Sequence, residues 1–203
     1  MKLYHSPKSR SLRVLWILEE LGLSYELEIY PLRHILVGKH KTPEFLAKSP
    51  LGLIPVLEDN QTTLYESGAI CSWLADRHPQ AQLSPTLDAP LRPLWLQWMF
   101  FSNATLEPAA FDLVRHTKIL PAKYRSQYRV ESARKQLLEC ASLLESVFKK
   151  QDFILESGFS AADIMLSTTL QWIENELEDF TYLKQYLQNI SQRPAFIKAI
   201  KIT

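Results

Sequence analysis

The sequence predicts an α/β unit followed by an all-helical unit, and three observations carry that reading. Over residues 1–78, short β-forming runs alternate with segments of helical apolar spacing. Residues 79–90 contain Pro79, Pro85, Asp88 and Pro90, turn formers that mark a linker. From 91 to 203 the strand signals stop and apolar residues recur at helical intervals. A chain of 203 residues can form one large or two small domains and bury a substantial core.

The elements follow in order. Lys2 to His5 is a short strand broken at Pro7. Ser11 to Leu21 places Val14, Ile17, Leu18 and Leu21 on one helix face, and Gly22 stands where a C-cap belongs. Tyr25 to Tyr30 alternates Leu27 and Ile29 with Glu26 and Glu28, a strand pattern. Pro31 to Thr42 reads as a polar, basic loop, and Pro43 to Ala47 as a short helix. A strand from Pro55 is broken by Asp59-Asn60, a second runs from Thr63 to Tyr65, and Ser67 opens a helix to Ala75. His78-Pro79 ends that helix. The resulting β-α-β, loop or helix, β-β-α order is that of a thioredoxin-like domain.

In the second unit, Leu94, Trp95, Trp98, Phe101 and Phe111 fall mostly at helical spacing. Leu137, Ala141, Leu144 and Phe148 form another face; Ala161, Met165, Thr168 and Trp172 form a third. Tyr182 to Ile200 holds one or two short helices. Ser160-Ala161-Ala162-Asp163 fits a Ser-x-x-acid capping box flanked by a Phe159/Ile164 staple, which gives it a structural role.

Composition narrows the function classes. The 23 basic and 22 acidic residues argue against nucleic acid or an anionic membrane as partner. No apolar run reaches membrane-span length, and the N-terminus is broken too early by Pro7 for a signal peptide. Cys71 and Cys140 lie far apart, and His5, His34, His78 and His116 show no metal spacing, so no metal is expected. The two isolated cysteines fit a reducing cytoplasmic setting.

The stretch from Ser49 to Ile70 combines several weak signals. A Pro at a strand entrance donates nothing to the ladder, so Ile54 can keep a free N–H and C=O for an extended ligand. Glu66-Ser67, eleven residues past Pro55, then opens a helix whose first N–H groups welcome a carboxylate. This combination resembles the glutathione-binding half of the glutathione S-transferases, in their cytosolic, serine-type, theta-like form. The α/β and helical units extend the resemblance over essentially the whole chain.

The resemblance implies a cis Ile54-Pro55 bond, with Leu53, Ile54 and Pro55 beside the cysteinyl backbone of glutathione and Glu66 and Ser67 holding its γ-glutamyl end. It implies that Gly38-Lys39-His40-Lys41 reaches the glycine carboxylate, with His40 in that role. The activating serine would lie in the loop His5 to Ser11; the match of Arg13-Val14 favours Ser9, with Ser11 and Ser6 as alternatives and Arg10 adding positive charge. Arg10 stands where cysteine-type bacterial members carry Cys, and Ser9 or Ser11 could equally be a helix cap. Among Trp95, Trp98, Met99, Phe100, Phe101 and Phe111, most would pack helices and one or two would wall the second-substrate pocket. The implied activity is a detoxifying transferase that attacks small hydrophobic electrophiles with glutathione thiolate, working as a homodimer. The alternatives are a glutathione-dependent peroxidase, reductase, dehalogenase or isomerase, or a non-catalytic binding relative.

Overall fold

The computed structural model describes residues 1–202, the side chains of Arg33 and Leu36 excepted. The chain divides into two compact units: Met1–Thr86 with Gln192–Thr203, and Leu87–Ser191. The division falls inside the stretch read as a linker. Residues 192–202, expected in the helical unit, group instead with the first.

The first unit is built on a four-stranded sheet in the order β2-β1-β3-β4, from β1 (Lys2–His5), β2 (Glu26–Ile29), β3 (Val56–Asp59) and β4 (Thr62–Tyr65). β1 and β2 are parallel, as their connection through helix α1 (Ser11–Glu20) requires, and β3 is antiparallel to both its neighbours. The β-α-β then β-β-α order is the thioredoxin-like one. Helix α1 ends at a Schellman turn: Gly22 takes φ 62°, its N–H reaches Glu19 O, and Leu23 N–H reaches Leu18 O at 3.1 Å.

Residues Arg13 to Leu18 are all buried, not the single face that spacing predicted. Three neighbours cause this: β1, helix α4 (Ser67–Arg77), and helix α10 (Pro194–Lys201). Phe196 sets its ring 4.6 Å from that of Trp16, and Arg193 forks onto both carboxylate oxygens of Glu20 at 2.7 and 2.8 Å. The amphipathic period of 194–201 shows that the helix has a buried face; it does not show what buries it.

The segment read as a plain loop contains a five-residue helix α2 (Leu32–Leu36) before helix α3 (Pro43–Leu46). So short an element has no period to detect. On the α3 side of the sheet, Tyr4, Phe45 and Val56 form a core cluster with Tyr30 and Ile54 packed against it. Tyr4 and His5 point to opposite faces, as strand alternation requires: the Tyr4 hydroxyl donates to Glu58 at 2.6 Å, while His5 faces Ser11 on α1.

The second unit runs through α5 (Arg92–Phe100), α6 (Glu107–Val114), α7 (Gln127–Phe148), α8 (Ala161–Leu170) and α9 (Thr181–Ser191). Between α5 and α6 the helix widens to a π-turn over Phe101–Leu106, just before Pro108. Proline cannot donate to the carbonyl four residues back and its ring crowds it, so a wider turn suits that position. Helix α8 is buried on every side and stops at Leu170, so Trp172 lies beyond it in a 3₁₀ segment and does not continue the Ala161 face.

Candidate functional site

Strand register gathers the predicted residues at one end of the sheet. Tyr4 pairs with Val56 across the antiparallel β1–β3 ladder, so the loop after His5 meets the residues that precede β3, Ile54 and Pro55. Tyr65 also pairs with Val56 across β3–β4, which brings Glu66 and Ser67 to the same end. A second tie comes from α1: Arg13 Nη1 donates to Ser67 Oγ at 3.1 Å.

The loop before α1 is a hydroxyl cluster. Ser9 Oγ lies 2.7 Å from Ser6 O and 2.8 Å from Ser11 Oγ, and it accepts Ser11 N–H at 3.3 Å. Ser11 Oγ also touches His5 Nδ1 at 2.8 Å, accepts Ser6 N–H at 3.0 Å and faces Ser6 O at 3.0 Å. Ser6 and Ser11 are wholly buried, whereas Ser9 is partly exposed. Of the three serines, Ser9 is the one with a solvent-facing side. Arg10, half-buried, is the N-cap residue of α1. Burial pushes the His5 imidazole down to about 4, opposed only by the Ser11 backbone, so His5 is neutral at physiological pH.

Beside this loop the chain is braced so that one residue is left open. The Ser49 hydroxyl donates to Leu53 O and accepts Leu53 N–H, both at 2.9 Å, so the Leu53 backbone is already occupied and only its half-exposed side chain is available. Gly52 takes φ 65°, a left-handed backbone that favours glycine, with the methylenes of the exposed Lys41 packed over it. Ile54-Pro55 is cis. Ile54 precedes the first ladder residue, and no hydrogen bond among the described residues engages its N–H or C=O. A half-buried residue with both backbone groups unpaired is a place where an extended peptide can pair.

Helix α4 begins without a side-chain cap. Its first N–H groups have no intrahelical acceptor, and the positive end of the dipole lies there. Glu66, exposed, holds φ 75° and ψ 110°, a conformation that costs a non-glycine residue about 1–3 kcal/mol. Arg13 occupies an acceptor position on the buried Ser67 hydroxyl, leaving the Ser67 hydrogen to point at something else. A carboxylate over this helix start and an ammonium beside Glu66 are what the arrangement suits.

His40 is placed differently from the expectation. Its ring is buried, Nε2 lies 2.7 Å from Gly52 O and Nδ1 3.4 Å from His34 O. It clamps the basic loop to the Gly52 turn and does not present a free nitrogen; Lys39 and Lys41 on either side of it are exposed. Lys41 Nζ donates to Leu51 O at 3.0 Å. The aromatic group of the second unit divides, with Trp95, Trp98 and Met99 buried and Phe100 exposed.

Three contributors escaped the sequence reading. Ser49 carries no motif. His5 shows no metal spacing, and its link to Ser11 depends on the fold. Arg13 did carry a signal: a charge in the run Leu12 to Leu18 must find a polar partner when buried.

Comparison with known proteins points to one family. The family model described as the glutathione S-transferase N-terminal domain matches residues 3–82, and that of the glutathione S-transferase C-terminal domain matches 127–193. The glutathione S-transferase GstB of Escherichia coli is 29% identical over 200 residues, covering 94% of this chain and 92% of its own. A sphingomonad glutathione S-transferase solved with glutathione superposes with a TM-score of 0.85 at 28% identity, covering 100% of this chain and 98% of the other. The transferase URE2P6 of Phanerochaete chrysosporium, solved with oxidized glutathione, gives 0.85 at 27% identity, with 98% and 94% covered.

Proposed function

Since this chain belongs to the glutathione S-transferase family, we propose that it is a glutathione transferase whose Ser9 activates the glutathione thiol for attack on small hydrophobic electrophiles. The observation that carries this reading is the meeting of a partly exposed Ser9, an unpaired Ile54 backbone and an uncapped Glu66-Ser67 helix start at one end of one sheet.

Each group has a separate task. Ile54 N–H and C=O pair with the cysteinyl residue as a short strand would. The first turn of α4 and the Ser67 hydroxyl hold the γ-glutamyl carboxylate, and Glu66 holds the ammonium. That docking sets the sulfur over the start of α1. A cysteine-like thiol has a pKa of about 8.5, so only a few per cent is thiolate at pH 7. A Ser9 O–H donated to the sulfur, with the α1 dipole and Arg10 nearby, favours the anion. Lowering the pKa by two units requires about 2.7 kcal/mol, within the reach of one charge-assisted hydrogen bond plus a helix terminus. The thiolate then attacks the electrophilic carbon and the leaving group departs with the electron pair. Basic Lys39 and Lys41 draw the glycine carboxylate. The Cys71 thiol, buried and pushed up to about 12 by that burial, makes a poor exchanging thiol, which favours transfer over reduction through a protein cysteine.

The test is a rate–pH profile with a chlorodinitrobenzene-type electrophile beside glutathione titrations. Ser9→Ala is expected to bind glutathione with affinity near that of the parent while turnover at pH 6.5 falls at least tenfold, the deficit closing toward pH 9. A parent-like profile for Ser9→Ala sinks the assignment. Homodimeric assembly and a cytoplasmic, detoxifying role complete the proposal; a monomer in sedimentation at micromolar concentration rejects the first, and recovery outside the cytosolic fraction the second.

A further inference from the structure

We infer that His5 is a positioning residue for the transferase reaction: its Nδ1–H occupies Ser11 and so keeps the hydroxyl hydrogen of Ser9 off Ser11, available to the glutathione sulfur. This rests on the reading of Ser9 as the activating group.

The argument is a count of donors and acceptors. A serine hydroxyl donates once and accepts twice. Ser11 Oγ has four polar neighbours: Ser6 N–H, His5 Nδ1, Ser6 O and Ser9 Oγ, all between 2.8 and 3.0 Å. Ser6 N–H can only donate to it, and Ser6 O can only accept from it. The direction of the other two bonds is decided by the His5 tautomer. His5 Nε2 is buried and has no hydrogen-bond partner among the described residues. If Nδ1 were bare and accepted from Ser11, the ring hydrogen would sit on Nε2 as an orphaned buried N–H, the kind of group folded proteins avoid most strongly. With the hydrogen on Nδ1, the atom left at Nε2 is a lone pair, the smaller loss.

The consequence passes along the chain of hydroxyls. Ser6 N–H and His5 Nδ1–H fill both acceptor positions of Ser11, so Ser11 cannot accept from Ser9. Ser11 must instead donate, to Ser9 Oγ or to Ser6 O. The Ser9 hydrogen is then left with Ser6 O at 2.7 Å or a ligand. When a thiolate arrives, Ser11 can supply Ser6 O and the Ser9 hydrogen is free to leave it. No proton is transferred along the chain; the His5 tautomer removes Ser11 as an acceptor for the Ser9 hydrogen. The ring is neutral through the whole assay range, since burial holds it near 4.

The experiment measures the pKa of enzyme-bound glutathione by thiolate ultraviolet absorbance, with circular dichroism melting curves for each variant. His5→Leu removes the donor and lets Ser11 accept from Ser9. It is expected to raise the bound-thiol pKa by about one unit, which below that pKa is about a tenfold loss of thiolate and of turnover. His5→Asn carries an amide N–H where Nδ1 stood and is expected to restore the parent pKa. His5→Gln carries its N–H at the Nε2 position and is expected to behave like His5→Leu, which decides the matter if the leucine variant does not fold. Ser9→Ala is run alongside. If it raises the pKa while His5→Asn, His5→Leu and His5→Gln all keep the parent value or all move together, His5 only packs and the inference is overturned with the Ser9 reading intact. If Ser9→Ala leaves the pKa unchanged, the Ser9 reading fails and this inference with it.

Discussion

Two serine-containing helix starts in this molecule are built to opposite ends. At α8, Ser160 Oγ accepts Ala162 N–H and donates to Asp163, and Asp163 accepts from Ile154 N–H at 2.8 Å, Ser160 N–H at 2.9 Å and Tyr186 Oη at 3.1 Å. Each of these groups has its partner within the unit, and the cluster is buried. At the site end of the sheet the hydrogen bonding is left open: Ser9 has a solvent-facing side, Ile54 keeps two unpaired backbone groups, and α4 starts without a cap on a Glu66 with positive φ. A closed set of partners stabilises the fold. An open set, braced by closed ones such as the Ser49–Leu53 pair, leaves groups that a bound molecule can pair with.

The comparison breaks most visibly at α8. Asp163→Ala leaves several buried donors unmatched and is expected to cost about 3–5 kcal/mol of folding stability at pH 7 by urea titration, with glutathione affinity of the folded fraction unchanged. A loss below 1 kcal/mol, or a weakened glutathione site, would contradict the assignment of this box to structure alone.

The next effect lies at the buried end of the hydroxyl cluster. Unfolded His5 takes up its proton near 6.5 and folded His5 only near 4. Between those values the unfolded state holds more protons, so stability falls as pH drops through that window, by about 3 kcal/mol in all. His5→Asn removes this dependence. Parallel pH–stability curves for parent and variant from pH 7 to 4 would show that His5 charges in the fold without penalty.

The smallest and sharpest test is Glu66→Gly, which moves stability and binding in opposite directions. Glycine accepts the positive φ, so stability should rise by about 1 kcal/mol. Loss of the carboxylate should weaken glutathione by about 1.5–3 kcal/mol, the range for a hydrogen bond to a charged group. A variant that binds as the parent does would remove Glu66 from the site.

What could be read from sequence follows the range of each interaction. Ile54-Pro55, Glu66-Ser67 and Ser160-Asp163 are local patterns visible in adjacent or nearly adjacent residues, although Arg13, Ile154 and Tyr186 join them only in the fold, and the α/β-then-helical order follows from periodicity alone. His40 shows the limit: a basic loop is legible as basic, but whether the imidazole faces a ligand or Gly52 O depends on a turn twelve residues on. The pairing of His5 with Ser11 requires a strand and a helix to be set side by side. The π-turn before Pro108 and the burial of α8 on all sides leave no periodic trace to detect. The destination of α10 was the furthest out of reach, since its partner α1 lies at the other end of the chain.

That last pairing has a consequence for how the protein comes into being. Trp16 and the flank of α1 around it emerge early from the ribosome, yet Phe196 and Arg193 follow only after the whole of Leu87–Ser191. At about 5–20 residues per second, that is roughly 5–20 s in which a nascent first unit shows an uncovered apolar flank. The half of the chain that carries Ser9, Ile54 and Glu66 is thus the first to be synthesised and the last to be closed. Chains that stall before residue 194 would be dependent on chaperones, however sound their glutathione end.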